Sequence, residues 1–181
     1  MVVSDDDDLF DRLAKKLPPA HPGPARPEAL APVEAEAGRP LPALMRRIYV
    51  ELADGGWGPD YGVLGVDEGH TDDLGGRVPE VYRTWHSTDG LGPDDIVLPA
   101  AWVPFLHVGC AMHYCVDVTT SDGRVVLVDP NPGGPLEQCV VWQTSSFAEF
   151  LRLWLDGELG AQVWPSLHDD PASAAPPPAR D

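Results

Sequence analysis

Within nine positions the chain carries His107, Cys110, His113 and Cys115, residue types that hold zinc or, as a Cys–His pair, form a nucleophile and its base. Strand geometry argues against a shared metal. Alternation along MHYCVDV (112 to 118) puts His113 and Cys115 on one face, and a strand continued back to Cys110 would place that thiol opposite. Structural zinc sites usually draw ligand pairs from two segments, and no second pair such as C-x-x-C occurs. The neighbours Val108, Met112, Tyr114 and Val116 are apolar, which suits thiols acting as small buried hydrophobes. A cysteine nucleophile needs an exposed, electropositive setting that lowers its pKa, and this acidic chain offers the reverse. The cluster therefore predicts no metal, no cofactor and no catalytic cysteine.

Carboxylates are the other group with chemistry to offer. Asp67, Glu68, Asp72 and Asp73, with His70, could meet a hard cation, but the order D-E-G-H-T-D-D does not match a calcium loop. An exposed acidic loop is the simpler reading. Between Asp54 and Asp95 lie ten carboxylates and two arginines, a formal −8 within a chain of −17. Such a stretch repels phosphate and anionic lipid and attracts basic protein surfaces. It points to a protein partner, with no nucleic acid and no membrane. The residues predicted to meet that partner are Asp54, Trp57, Asp60, Tyr61, Asp67, Glu68, Asp72, Asp73, Asp94 and Asp95, with Trp57 able instead to pack over the sheet edge. No phosphate-loop, dinucleotide, zinc-protease or nucleophile-elbow pattern occurs.

The elements that would position these residues are readable. Residues 4 to 17 predict a helix, with Ser4 as cap, Asp5 to Asp8 at its positive end and Leu9, Phe10, Leu13 and Leu17 as its apolar stripe. The proline-rich residues 18 to 27 read as a linker. A second helix is expected from Glu28 to Ala37, and a third after Pro42 with Leu44, Ile48, Tyr49 and Leu52 inward. GVLGV (62 to 66) reads as a strand and residues 78 to 86 as one or two helical turns. Strands follow at 105 to 108, 112 to 118 and 124 to 129, residues 139 to 142 could add another, and Ser121-Asp122-Gly123 reads as a hairpin turn. Val125 and Leu127 face one way and Val126 and Val128 the other, which predicts a central strand covered on both sides. Ser146 and Glu149 form a capping box for a closing helix whose stripe is Phe147, Phe150, Leu151, Trp154 and Leu155, with Gly157 as its stop.

Three stretches together resemble the SUKH superfamily of the Smi/Knr type, which includes yeast cell-wall assembly regulators and many bacterial immunity proteins. They are LPALMRRIYVELADGGWGPDYGVLGV (41 to 66), HVGCAMHYCVDVTTSDGRVVLVDPN (107 to 131) and SSFAEFLRLWLDGEL (145 to 159). Asp54 and Trp57 stand where that family commonly has Asn and Phe, and Val108 where Trp is common. The resemblance implies an α+β fold, with N-terminal helices and a C-terminal helix packed on a twisted, mostly antiparallel sheet. It implies no catalytic residues, and in bacterial members a toxin domain as partner.

The expected organisation is an acidic helix and linker over 1–27, a SUKH-like domain over 28–164, and a disordered Pro/Ala-rich tail over 165–181. An acidic N-terminus unlike a secretory signal, three cysteines that cannot all pair, and no apolar run of membrane-spanning length predict a soluble, cytoplasmic chain. The leading expectation is a non-enzymatic immunity protein that neutralises a basic toxin domain, nuclease or deaminase, through an acidic surface. A regulatory or scaffold protein of the same fold is the alternative. A metal- or cysteine-dependent enzyme using the His107–Cys115 cluster is the third.

Overall fold

A computed structural model describes residues 5–89 and 96–159. The expectations for Ser4, for Asp94 and Asp95, and for the 165–181 tail lie outside the described residues. Those residues hold five α-helices and one four-stranded antiparallel sheet, an α+β arrangement.

Helix α1 (Asp5–Lys16) buries Leu9, Phe10 and Leu13, the stripe its periodicity predicts. Arg47 reaches back to Asp7 at 2.6 Å and covers the Phe10 ring, which ties this helix to α3 (Ala43–Glu51). A 3-10 turn (Pro27–Leu30) leads into α2 (Ala31–Ala37), where Gly38 takes the left-handed conformation at φ 73° and ends the helix. In α3 the buried face is Leu44, Met45, Ile48 and Tyr49, while Leu52 is half-buried just past its end.

The proline-rich stretch corrects the linker expectation. Asp54 N–H donates to Gly23 O at 2.8 Å and Ala25 N–H donates to Tyr49 O at 2.8 Å, and Ala25 is itself buried. Residues 18 to 27 are thus a strap pinned across α3, and α1 shares one core with the remainder of the fold.

The sheet runs β1 (Trp102–Gly109), β2 (Met112–Asp117), β3 (Arg124–Val128) and β4 (Val140–Thr144), in that spatial order. β3 is central, and its two faces enter different cores. Val125 and Leu127 join the large core under the helices, whereas Val126 and Val128 join a smaller cluster with Leu98, Cys115 and Val140. Helix α5 (Phe147–Asp156) closes the large core with Phe147, Phe150, Leu151 and Leu153. Ser146 Oγ accepts the Glu149 N–H at 3.1 Å as the capping box requires, but the Glu149 carboxylate returns to the N–H of Ser145 rather than Ser146.

Two predicted elements differ in extent. Residues 78 to 86 form a full nine-residue helix, α4 (Val78–His86), with Val78, Val81 and Tyr82 buried. GVLGV does not become a ladder strand. It makes one isolated bridge, Val63 to Leu106, because glycines at φ 94° (Gly62) and an inward turn toward Gly56 break the extended run.

Candidate functional site

Asp54 sits where α3 runs out, and its position decides the shape of the acidic segment. It is 2% exposed, and its carboxylate accepts N–H bonds from Val66 (2.6 Å), Asp67 (3.1 Å) and Gly69 (2.7 Å). Its own carbonyl accepts the His70 N–H at 3.0 Å. One side chain therefore folds residues 66 to 70 around itself, a use of charge that stabilises buried N–H groups. Gly69 is required there, since a Cβ would lie 1.9 Å from Asp54 O. Gly55 and Gly56 supply the left-handed turn before it, at φ 76° and 77°.

Trp57 follows inside the fold. It is 5% exposed and meets Trp154 with ring centroids 5.9 Å apart, so it packs in the core and offers no surface to a partner. Asp54 and Trp57, both expected as partner-facing, are corrected to interior positions. Asp67 is half-buried and held by Arg26, whose Nε donates to it at 2.8 Å. That guanidinium brings its carboxyl down to about 2. Asp72 turns back on its own loop and accepts the N–H groups of Leu74 (2.9 Å) and Gly76 (2.7 Å).

The residues that do reach solvent are Asp60, Tyr61, Glu68 and Asp73. Tyr61 is 64% exposed and lies over His107 with ring centroids 5.1 Å apart. His107 Nε2 in turn stands 3.6 Å from the Asp73 carboxylate. His107 and His113 face each other across the β1–β2 ladder, with centroids 5.2 Å apart, and His113 meets Trp85 of α4 edge-on at 5.9 Å. Tyr61, His107, His113 and Trp85 thus form one continuous row of rings.

Beside that row opens a cleft of about 400 Å³. Leu74, Val81 and Trp85 give it apolar walls, the two histidines lie along it, and Asp72, Asp73 and Glu80 supply three carboxylates. Leu74 stands at the lip, 92% exposed. Burial lowers the His113 imidazole to about 4, so it is neutral in neutral solution. His107 Nδ1 and His113 Nε2 are both buried and have no hydrogen-bond partner among the described residues.

The cysteine cluster separates. Cys110 does not continue a strand. It occupies the hairpin turn with Ala111, at φ 49° and 63°, and is exposed rather than a buried hydrophobe. Cys115 and Cys139 are buried, and loss of water raises both thiols, Cys115 far above its ordinary value. Among the described residues no three His, Cys, Asp or Glu side chains are placed to hold one metal ion. No helix among them is long and apolar enough to cross a membrane.

Leu74, Glu80 and Trp85 were not among the residues expected to face a partner. One signal for the cleft was present in the sequence. A tight turn at Cys110-Ala111 brings His107 and His113 opposite each other, so their spacing of six encodes a cross-strand pair. The packing of α4 beside that pair had no comparable local signal.

None of the curated proteins compared with the chain matches it. The model of the SMI1/KNR4 family (SUKH-1) matches residues 24–153, from the strap through the sheet and into α5. With most of its length covered by that match, the chain belongs to the SMI1/KNR4 family, SUKH-1.

Proposed function

We propose that this SUKH-1 protein is a non-enzymatic binding domain of the immunity type, which acts in the cytoplasm and neutralises a basic toxin domain. The observation that carries this reading is the composition of one surface. Tyr61 and Leu74, large apolar residues 64% and 92% exposed, stand among Asp60, Glu68 and Asp73. Exposed apolar groups ringed by one sign of charge suit protein capture, with charge accelerating encounter and the apolar groups slowing release. A nuclease must carry positive charge to hold phosphate, so an acidic partner can compete for the same cleft. The family match supports a protein-binding domain of this kind.

The test is purification of the tagged full chain from its source cells at low salt, followed by elution at high salt. A basic nuclease-like or deaminase-like domain that is released by salt, and loses activity when the chain is added back, would establish the reading. A client without toxic activity would instead favour a regulatory or scaffold role.

A further inference from the structure

We infer that the cleft between the 72–76 turn, α4 and the histidine pair is the receptor for one arginine side chain presented by the protein partner, an assignment that rests on the binding reading above. Three independent features select this occupant. The first is charge: the lining includes Asp72, Asp73 and Glu80 and contains no Lys or Arg. An anion would be repelled; Asp72 is held by its own loop and Glu80 lies 3.8 Å from Arg83, so Asp73 is the carboxylate left to meet a cation directly.

The second is the pair of unpartnered imidazole nitrogens. His107 Nε2 lies 3.6 Å from the Asp73 carboxylate, and a proton held on that side leaves buried, unpartnered Nδ1 with a lone pair. His113 Nδ1 has two neighbours, Ala111 O at 3.2 Å and the Trp85 indole N–H at 3.3 Å, whereas its buried Nε2 has none. A buried acceptor without a donor costs stability, and a group that only donates is its natural complement. Guanidinium is such a group, with five N–H donors in a plane and no acceptor.

The third is shape. Leu74 and Val81 offer an apolar wall to a methylene stem, and the Trp85 indole adds a flat aromatic group to the lining. A lysine ammonium would use the charge but not the several acceptors or the flat wall. The rim favours a protein-borne arginine over a free small cation, because Tyr61 and Leu74 extend the apolar surface beyond the cleft. A small molecule would leave that rim in water, whereas a partner surface would cover it.

The test has two arms. In the first, the full chain is titrated with Nα-acetyl-arginine amide and followed by heteronuclear NMR. The expected result is a saturable shift of the Trp85 indole N–H and of the His107 and His113 ring signals. Nα-acetyl-lysine amide should bind about tenfold more weakly, and the neutral citrulline amide should leave those signals unmoved. Equal response to citrulline, or shifts scattered over the surface with none in the cleft, would overturn the assignment.

The second arm uses the partner recovered in the purification above. The double variant Asp73→Asn, Glu80→Gln should weaken that complex about tenfold or more beyond the effect of Glu137→Gln, an exposed acid outside the cleft. One partner arginine changed to alanine should lose the same interaction, without additivity when combined with the double variant. Undiminished binding by the double variant would sink the arginine cleft while leaving the binding reading intact. Failure to recover any partner, with specific arginine-amide binding in the first arm, would count against the toxin reading and not against the cleft.

Discussion

Two neighbouring regions draw on the same acidic stretch and use it in opposite ways. Around Asp54 the charge is turned inward: three backbone N–H groups converge on a carboxylate that is 2% exposed. Around the 72–76 turn the charge faces outward, with Asp73 exposed and two buried imidazole nitrogens left unpartnered beside it. In the first region the Asp54 carboxylate is answered by the chain's own N–H groups and belongs to the fold. The second has polar groups waiting, and these are the mark of a place where something else completes the structure. Formal charge along a sequence therefore overstates the charge a partner can meet, since Asp54 and Asp67 are already committed within the chain.

The sharpest way to break this contrast is Gly69→Ala. The new Cβ would sit 1.9 Å from Asp54 O and 2.6 Å from the Asp54 carboxyl carbon, with backbone rather than a flexible side chain in the way. The turn cannot close, and a loss of about 5 kcal/mol or outright failure to fold is expected in urea denaturation. Asp54→Asn is the next largest. One oxygen becomes an NH₂ group that meets backbone N–H donors head-on, so at least one buried pair is lost and replaced by repulsion. A cost of about 3 to 4 kcal/mol is expected by the same measurement. A change below about 1 kcal/mol would mean that the cradle is not what holds residues 66 to 70.

How much of this was legible follows from which interactions are local. The α5 stripe, the left-handed stop at Gly157 and the two-faced β3 all depend on residues within one element, and all appear where periodicity and capping place them. The charge of Asp54 beside Trp57 points to a partner-facing pair, yet both lie inside. The reason is that Asp54 is matched by N–H groups twelve to fifteen residues away, a closure that no local pattern encodes. The strap over residues 18 to 27 misled for the same reason: its prolines signal an absence of regular structure, while its fixing comes from Tyr49 and Asp54 across the fold. The cleft was half legible. Its histidines were noticed as possible ligands, but Trp85 and Leu74 reach it only through the packing of α4 and the 72–76 turn.

A pH titration sharpens the comparison from the cleft side. Burial holds the folded His113 pKa at about 4, below its ordinary 6.5. Between those values the unfolded chain binds the proton and the folded chain does not, so stability rises with pH across this window. The contribution is complete above about pH 6.5 and is lost as pH falls toward 4, with an upper bound of about 3 kcal/mol from the size of the shift. His113→Gln should flatten that limb of the stability–pH curve. An unchanged slope would place the imidazole in contact with water and remove it from the buried, unpartnered groups on which the cleft depends.

The smallest effect concerns how each region pays for its turns. The cradle uses glycine wherever its backbone goes left-handed, at Gly55 and Gly56. The hairpin at the end of the cleft does not: Cys110 and Ala111 take φ 49° and 63° with side chains that disfavour them. The Asn131 amide donates to Cys110 O at 2.9 Å and helps hold this turn in place. Strain of this kind collects where a fixed geometry serves something other than stability. Ala111 lines the cleft, and its carbonyl lies 3.2 Å from His113 Nδ1. Ala111→Gly should therefore raise stability by about 1 kcal/mol in urea denaturation, because glycine takes the same φ without penalty. The same variant should weaken arginine-amide binding if rigidity of the turn aligns His113, and stability gained with binding unchanged would separate the strain from the cleft.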